Sequence, residues 1–294
     1  MNVSLDLLRS FLAVHRAGSI TAAAELLGLA QPTLTAQIRT LETRLGRQLF
    51  DRLPRGVAPT AAGDELARRI ADPLDALEAL SLDDGAGGHP GTVHLGGPAE
   101  LLGERVLPAL AGMVADGLQL RVTAGLPDAL LDGVSAGRLD LAVSTVRPRR
   151  RGLVAQPLYD EEFVLVAAPP WADRVTRPVG PAQLRAVSLV AYHEDAPILR
   201  RYWRTVFDTR LTRTPDLVVA DLRGVLAAVL AGAGASVLPT YLCAGALAAG
   251  TLRALAEPEL PPLNTLFLVH RPAVAGRRAV AAVIARLRQA APHW

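Results

Sequence analysis

A run of short polar side chains lies on one face of a helix that the sequence predicts from Gln31 onward, in QPTLTAQIRTLETRL. That face and its flanks carry Pro32, Thr33, Thr35, Ala36, Gln37, Arg39, Thr40 and Thr43. Short side chains let a helix enter the major groove of DNA, where threonine methyls contact thymine, glutamine reads adenine and arginine takes guanine or phosphate. An ordinary solvated helix face has a similar composition, so both interpretations stay open at this point.

Three short helices are predicted to position this face. The first spans about Leu5–Ala17, with Ser4 as a possible cap and Gly18 at its end. The second spans about Thr21–Leu27 and ends at Gly28, which can take the left-handed conformation of a tight corner. The buried stripe of the third helix is expected to be Leu34, Ile38, Leu41 and Leu45.

A two-stranded wing is predicted directly after these helices. Residues Leu49–Arg52 and Val57–Pro59 can pair around the turn Pro54–Gly56. Arg52 and Arg55 would then lie on the ribbon and at its tip. From there they could reach phosphates or the minor groove beside a helix in the major groove.

A longer helix should follow, capped by Thr60. Its apolar stripe, which calls for a partner helix, is Leu66, Ile70, Leu74 and Leu77. Pro73 lies inside it, so we expect a kink or break near residues 69–73. We hypothesise that this helix pairs two chains and that residues 82–91, LDDGAGGHPG, form a flexible linker.

Positive charge is concentrated in the first 60 residues. Seven arginines against four carboxylates give +3 there, which equals the net charge of the whole 294-residue chain. A basic N-terminal segment on a neutral remainder is typical of a polyanion-binding domain attached to a separate body. The excess is small, so chance is the alternative.

The N-terminal motifs together resemble those of LysR-type transcriptional regulators. The matching stretches are Leu8–Phe11, Gly18–Ala24, Leu27–Gly28, Gln31–Pro32, Ile38–Glu42, Leu45–Gly46, Leu49–Arg52 and Pro59–Gly63. The resemblance implies that the third helix and the wing contact DNA through Gln31, Pro32, Thr33, Thr35, Ala36 and Arg52. With the positions added from the helical pattern, the DNA-binding candidates also include Thr21, Arg39 and Arg55. Many members carry a larger basic or polar residue at the position of Ala36, which puts base preference there in question.

The remainder of the chain has an α/β pattern. Strands are predicted at 93–95, 118–122, 139–143, 163–167 and 189–191, and helices at 100–114 and 127–135. The resemblance implies a winged helix-turn-helix over residues 1–60, a linker (dimerisation) helix with a hinge over 61–91, and a periplasmic-binding-protein-like effector domain over 92–294. In that domain, one subdomain would comprise about 92–166 plus 267–294, and the other about 167–266. The overall class is α/β.

Ligands of open α/β sheets bind beyond the carboxyl ends of strands and at helix N-termini. That rule selects as effector-binding candidates Pro98, Ala99, Glu100, Thr145, Val146, Tyr192 and His193. Glu100 either only complements its helix dipole or meets a cationic group of the effector. The basic loop Arg147–Arg151 is either solvated or an anion or DNA contact.

An enzyme is the rival class, and two motifs raise it. GVSAG, residues 133–137, fits a nucleophile elbow around Ser135, but it ends a predicted helix and precedes a strand, the reverse of the required order. GAGASVLP follows a helix and precedes a strand, the reverse of a dinucleotide loop. The six histidines and single Cys243 form no zinc signature, so we expect no metal, no cofactor and a buried structural thiol.

The uncharged run Gly224–Leu252 is long enough to span a membrane, but its central chain breakers favour a buried helix, strand and helix. The N-terminus does not have the apolar core of a secretory signal. We therefore expect a cytoplasmic regulator that binds double-stranded promoter DNA and a small-molecule effector as a homodimer or homotetramer, without a membrane. The alternative is a metabolite-binding or enzymatic α/β protein that carries a DNA-binding domain.

Overall fold

The computed structural model describes residues 3–53, 56–81 and 91–294. The chain folds into two compact bodies. The first comprises residues 1–97, 109–157 and 267–289, and the second comprises 98–108, 158–266 and 290–294. The domain division implied by the resemblance stays a prediction.

Three helices open the first body: α1 (Leu5–Ala17), α2 (Ile20–Leu27) and α3 (Gln31–Leu45). Each ends at a glycine with positive φ, at positions 18, 28 and 46, as the sequence predicts for the first two. Ser4 occupies the N-cap position of α1 but makes no capping hydrogen bond through its side chain, contrary to its expected role. The predicted buried stripe of α3 is confirmed for Leu34, Ile38 and Leu41, while Leu45 is half-buried.

The wing consists of strands β1 (Phe50–Arg52) and β2 (Val57–Pro59), which pair antiparallel with Arg52 opposite Val57. Glu42 of α3 sets where β1 begins, because its Oε1 accepts hydrogen bonds from the backbone N–H groups of Leu49 at 2.8 Å and Phe50 at 3.3 Å. The predicted turn residues Pro54 and Arg55 lie outside the described residues.

Helix α4 (Ala61–Ser81) follows, and Thr60 caps it as predicted through a hydrogen bond from the Gly63 N–H to its Oγ1 at 3.1 Å. The expected break near Pro73 is wrong, because the helix continues through it. Ala71 and Leu74 on either side of Pro73 are buried in the core, and this packing offsets the lost backbone hydrogen bond. The stripe formed by Leu66, Ile70 and Leu74 packs into the same core as α1. The predicted linker at 82–91 falls, except for Gly91, outside the described residues.

The remaining elements alternate as expected for an α/β chain. The helices are α5 (Ala99–Leu101), a π-helical turn (Leu102–Val106), α6 (Leu107–Ala115), α7 (Pro127–Ser135), α8 (Pro169–Ala172), α9 (Pro197–Val206), α10 (Leu222–Leu230), α11 (Thr240–Ala248) and α12 (Arg278–Ala290). The strands are β3 (Thr92–Gly97), β4 (Gln119–Ala124), β5 (Leu141–Ser144), β6 (Val154–Ala167), β7 (Val190–Ala191), β8 (Leu217–Val218), β9 (Ala235–Pro239), β10 (Arg253–Ala254) and β11 (Leu263–His270). Short 3₁₀ turns occur at Ala273–Gly276 and Ala291–His293.

The main sheet has the strand order β10-β6-β11-β5-β3-β4, and β9 also pairs with β6. In the first body, β3 lies between β4 and β5, both parallel to it, and β11 pairs antiparallel with β5. In the second body, β6 lies between β9 and β10, both antiparallel to it, and β7 pairs with β8 in parallel. β6 is much longer than the predicted strand at 163–167. The part of β6 before residue 163 carries Gln156, Asp160 and Glu162, and therefore has too little apolar pattern to be recognised as a strand.

Candidate DNA-binding and effector-binding sites

The predicted face of α3 forms an open surface in the first body. Pro32, Thr33 and Ala36 are exposed and Thr35 is half-buried. A shallow depression along the helix is lined by Gln31, Pro32, Thr35, Ala36 and Arg39. The structure thus brings together the residues that the helical spacing selected, without a bulky apolar side chain among them.

Two arginines of this surface carry charge that the described part of the chain does not neutralise. Arg39 and Arg52 are exposed, and neither forms an ion pair with any residue that the structure describes. Thr21, at the start of α2, is exposed as well. Unpaired guanidinium groups on an exposed helix and an adjacent wing are suited to phosphate and base-edge contacts.

The sequence allowed Gln37 to read adenine, but in the structure its side chain is engaged by a neighbouring helix. Its Oε1 accepts a hydrogen bond from the Ser10 hydroxyl of α1, so its side chain joins two helices. The hydroxyls of Thr35 and Thr40 donate to the Gln31 and Ala36 carbonyl oxygens one turn earlier, at 2.9 Å and 2.8 Å. These threonines therefore satisfy their own donors within α3.

The wing is anchored to the turn after α1. The Val57 N–H donates to the Gly18 carbonyl oxygen at 3.0 Å. Gly56 has φ +87°, and a Cβ built on it would lie 2.6 Å from that same oxygen. Glycine is required there because both its conformation and its close approach exclude a side chain.

A buried ion-pair network also lies in the first body. Asp75 of α4 is fully buried and pairs with Arg16 of α1 at 2.8 Å, with Arg271 at 2.9 Å and with Arg277 at 3.8 Å. Burial alone would raise the pKa of Asp75, but the three arginines outweigh it and hold the pKa below its ordinary value. Sequence reasoning missed this network because the partners of Asp75 come from positions 16, 271 and 277, far from it in sequence.

His15 is buried beside the same helix. Its Nε2 lies 2.9 Å from Asp64 Oδ1, and burial is the main reason why its pKa is lowered. Asp64 also accepts a hydrogen bond from Arg138 at 3.0 Å.

The second body holds five of the effector-binding candidates. Pro98 and Ala99 begin α5, and Glu100 is half-buried, so that burial raises its pKa. Tyr192 is half-buried, and its pKa is raised by burial and further by Glu100. His193 has a side chain that is 54% exposed and lies 3.6 Å from Asp195.

Two neighbours of Glu100 escaped sequence reasoning. Glu161 of β6 is only 5% exposed, and burial raises its pKa to about 7, with the charge of Glu100 adding to the effect. Asn264 of β11 donates to its Oε1 at 2.9 Å. Tyr241 of α11 is buried, and the pKa of its hydroxyl is raised by burial and then by both carboxylates. For Glu161, the sequence signal that could have revealed burial is the alternation of side chains along β6. This alternation places Glu161 on the same face as the buried Phe163 and Leu165.

Thr145 and Val146 belong to the first body. They follow β5, and Ser144 fixes the turn by donating from its Oγ to the Val146 carbonyl at 2.7 Å. In the basic loop nearby, Arg150 pairs with Asp132 of α7. Arg147, Arg149 and Arg151 are exposed.

The motifs that suggested other classes have ordinary structural positions. Ser135 is the last residue of α7, so it does not occupy a strand-to-helix elbow. Cys243 is buried, and burial raises its pKa to about 12. Within the described ranges, no group of three or more His, Cys, Asp or Glu side chains is placed to hold a metal ion. Of the helices described, none combines the length and the apolar character needed to cross a membrane.

Known families match most of the chain. Residues 5–64 match the bacterial regulatory helix-turn-helix protein family of the lysR type, and residues 86–292 match the LysR substrate binding domain. The HTH-type transcriptional regulator AbaB of Streptomyces antibioticus is 50% identical over 302 aligned residues, covering 99% of this chain and 100% of that protein. The regulator PtxR of Pseudomonas aeruginosa is 32% identical over 260 residues, covering 85% and 81%.

Solved structures share the fold. A full-length OxyR variant from Pseudomonas aeruginosa superposes with a TM-score of 0.77 at 21% identity, covering 98% of this chain and 99% of that one. ArgP from Mycobacterium tuberculosis superposes with a TM-score of 0.71 at 23% identity, covering 99% and 98%.

Proposed function

The chain belongs to the LysR family of transcriptional regulators, and from that premise we propose which of its surfaces perform the regulation. A member of this family binds DNA operator sites, responds to a small-molecule effector and forms oligomers.

The exposed face of α3 enters the major groove and reads base edges. The observation that supports this most directly is the open depression lined by Gln31, Pro32, Thr35, Ala36 and Arg39. Thr21 at the start of α2 and Thr33 on α3 are exposed, and they contact the DNA backbone. Since Ala36 is short, the backbone of α3 approaches the bases closely at that position.

The wing supplies backbone contacts. Arg52 lies on β1, exposed and without an ion-pair partner among the described residues, and it takes a phosphate. Arg55 is assigned the same role from its position in the sequence between the two strands of the wing.

Two chains pair so that their recognition helices meet half-sites about one DNA turn, ~34 Å, apart. Because one stripe of α4 packs against the helices of its own chain, pairing through α4 uses its other faces. Two such dimers form a homotetramer, and a chain that stays monomeric in sedimentation at micromolar concentration contradicts this assembly.

Residues 1–60 form the DNA-binding domain, 61–91 the linker and 92–294 the effector domain. In the second body, the effector contacts Pro98, Ala99, Glu100, Tyr192 and His193. In this role the chain catalyses no reaction. It acts in the cytoplasm, where it binds the DNA. Turnover of a bound compound would instead favour an enzymatic body that carries a DNA-binding domain.

The test is selection of random DNA duplexes by the full chain. We expect a two-fold symmetric sequence to be enriched, with half-sites about 10 base pairs apart or a multiple of that. Arg121→Ala, an exposed arginine on β4, is the control and should select the same sequence. Recovery of unrelated sequences, bound with equal affinity, would contradict sequence-specific binding.

A further inference from the structure

In the described part of the second body, two carboxylates lack a cationic partner. Glu161 is 5% exposed, and its carboxylate accepts one hydrogen bond, from Asn264 Nδ2 at 2.9 Å. Glu100 is half-buried at the start of α5. Neither carboxylate forms an ion pair with the residues of its body that the structure describes. Burying acidic groups without a counter-charge destabilises a fold, so their presence calls for a functional reason.

The two carboxylates share one environment with the hydroxyls of Tyr192 and Tyr241. The charge of Glu100 acts on Glu161, and the charges of both glutamates act on both tyrosines, in addition to the larger effect of burial. Coulombic effects weaken with distance, so groups that act on one another in this way lie near each other. The four side chains therefore form one cluster. It consists of Glu100 at the start of α5, Glu161 of β6, Tyr192 directly after β7 and Tyr241 of α11.

Tyr241 gives an independent indication of a ligand. The residue is 7% exposed, and its hydroxyl oxygen is buried without a hydrogen-bond partner in the described chain. In the antiparallel β6–β9 ladder, Phe163 lies opposite Pro239. Glu161 precedes Phe163 by two residues and Tyr241 follows Pro239 by two, so both lie at the same end of the ladder. The Thr240 hydroxyl continues this contact by donating to the Glu162 carbonyl at 3.1 Å. A buried polar group that finds no partner next to unpaired carboxylates is suited to receive an external donor.

Three arginines act electrostatically on this cluster, and among the described residues none of them forms an ion pair with Glu100 or Glu161. Arg223 pairs with Asp221 at 2.6 Å, and Arg201 donates to Asn264 Oδ1 at 3.4 Å. Arg105 lies over the face of the Tyr241 ring, 5.4 Å from its centroid, and its Nε is buried without a hydrogen-bond partner among the described residues. The acceptors of Glu100 and Glu161 are thus left for a cation that does not come from these side chains.

We infer that Glu100, Glu161 and Tyr241 bind a cationic nitrogen of the effector, and this inference rests on the proposed effector function. The nitrogen belongs to an ammonium or guanidinium group on a small organic molecule. Carboxylates are acceptor-only and pair strongly with N⁺–H donors, while the phenolic oxygen accepts a further hydrogen bond. An anionic effector group would add like charge to a partly desolvated acidic site. Glu161, its partner Asn264 and Tyr241 thereby join the site.

The experiment measures thermal stability of the full chain against matched pairs of probes at equal ionic strength and at 10 mM or less. The pairs are L-arginine with L-citrulline and L-lysine with L-norleucine, and agmatine, putrescine and magnesium chloride are added singly. We expect at least one organic cation to raise the Tm, and its neutral partner to have no effect. Glu161→Gln and Glu100→Gln, which keep side-chain shape, should each weaken that binding at least tenfold, whereas the exposed Glu259→Gln should not.

The inference is wrong if none of the organic cations raises the Tm, if a neutral partner acts equally, if magnesium acts in their place, or if both glutamine variants retain full binding. Circular dichroism establishes that the variants are folded. Failure of the proposed function is a separate result, because it requires the chain to fail to select DNA. A neutral or anionic metabolite that raises the Tm and alters operator binding would leave the proposed function standing and overturn this inference alone.

Discussion

Arg16 of α1 donates from a single guanidinium nitrogen, Nη2, to both carboxylate oxygens of Asp75 of α4, at 2.8 Å each. Its Nε also donates to the Gly137 carbonyl oxygen at 2.7 Å. Arg271 approaches the same carboxylate from near the end of β11. One buried anion therefore connects the first helix of the DNA-binding region, the long helix after it and the main sheet.

Asp75→Asn is expected to be strongly destabilising. The asparagine keeps the shape of the side chain but leaves Arg16 and Arg271 without a buried counter-charge, and breaking such a pair costs about 3–5 kcal/mol. Urea denaturation followed by circular dichroism measures the change. Asp72→Asn is the matched control, since Asp72 also pairs with Arg271 but has a side chain that is 44% exposed. Equal and small losses in both variants would contradict the structural role of Asp75.

Gly56→Ala should displace the wing. The new Cβ would lie 2.6 Å from the Gly18 carbonyl, and the positive φ adds strain of about 1–3 kcal/mol. Gly152→Ala is the control for backbone strain without a steric clash, because Gly152 has φ +81° and an added Cβ there would have open space around it. We expect both variants to lose stability and only Gly56→Ala to lose DNA affinity beyond that, as measured by fluorescence anisotropy. If the two variants bind DNA alike, the wing is not positioned by this contact.

Arg52→Ala should weaken binding to every DNA sequence by a similar factor. Removal of one phosphate contact should lower the slope of log K against log salt by about 1. The slope is obtained from anisotropy titrations between about 50 and 200 mM salt. Arg121→Ala should leave it unchanged, and an unchanged slope for Arg52→Ala would remove this arginine from the interface.

Local patterns predicted the DNA-binding region closely. The bounds of α1, the glycine ends of α1 and α2, the start of α3 and the cap of α4 follow from spacing over a few residues. Such features depend on helix periodicity and backbone conformation, which neighbouring residues determine. The continuity of α4 through Pro73 was missed, because it depends on the packing of Ala71 and Leu74 against helices distant in sequence.

The effector site was predicted only in part, for a related reason. Glu100 was selected by its place at the start of a helix, whereas Glu161 and Tyr241 come together through the pairing of β6 with β9. The partners of Asp75 likewise come from positions 16, 271 and 277. Pairings of this range leave no periodic signal in a single sequence.

Glu161 should make stability depend on pH in an unusual direction. Its pKa is raised from 4.5 to about 7 in the folded chain, so the folded state holds its proton more tightly than the unfolded state. The stability linked to that proton is present at pH 4.5 and is lost as the pH rises to about 7. Glu161→Gln should therefore raise the free energy of unfolding at pH 8, by up to about 3 kcal/mol, and change it little at pH 4.5.

Denaturant titrations at the two pH values measure this difference. Glu259→Gln, an exposed site in the same body, should show no such dependence. A gain for Glu161→Gln that is the same at both pH values would mean that titration of its carboxylate is not the cause.

The most direct test of the account is the specificity of the double variant Gln31→Ala/Arg39→Ala. Both side chains are exposed on α3, so the fold should persist. Affinity is measured for the selected operator and for a random duplex of equal length at one salt concentration. The account predicts that the ratio of the two affinities falls at least tenfold, because base contacts worth about 1–3 kcal/mol each are lost. An unchanged ratio in a folded variant would contradict the claim that this face of α3 reads the operator.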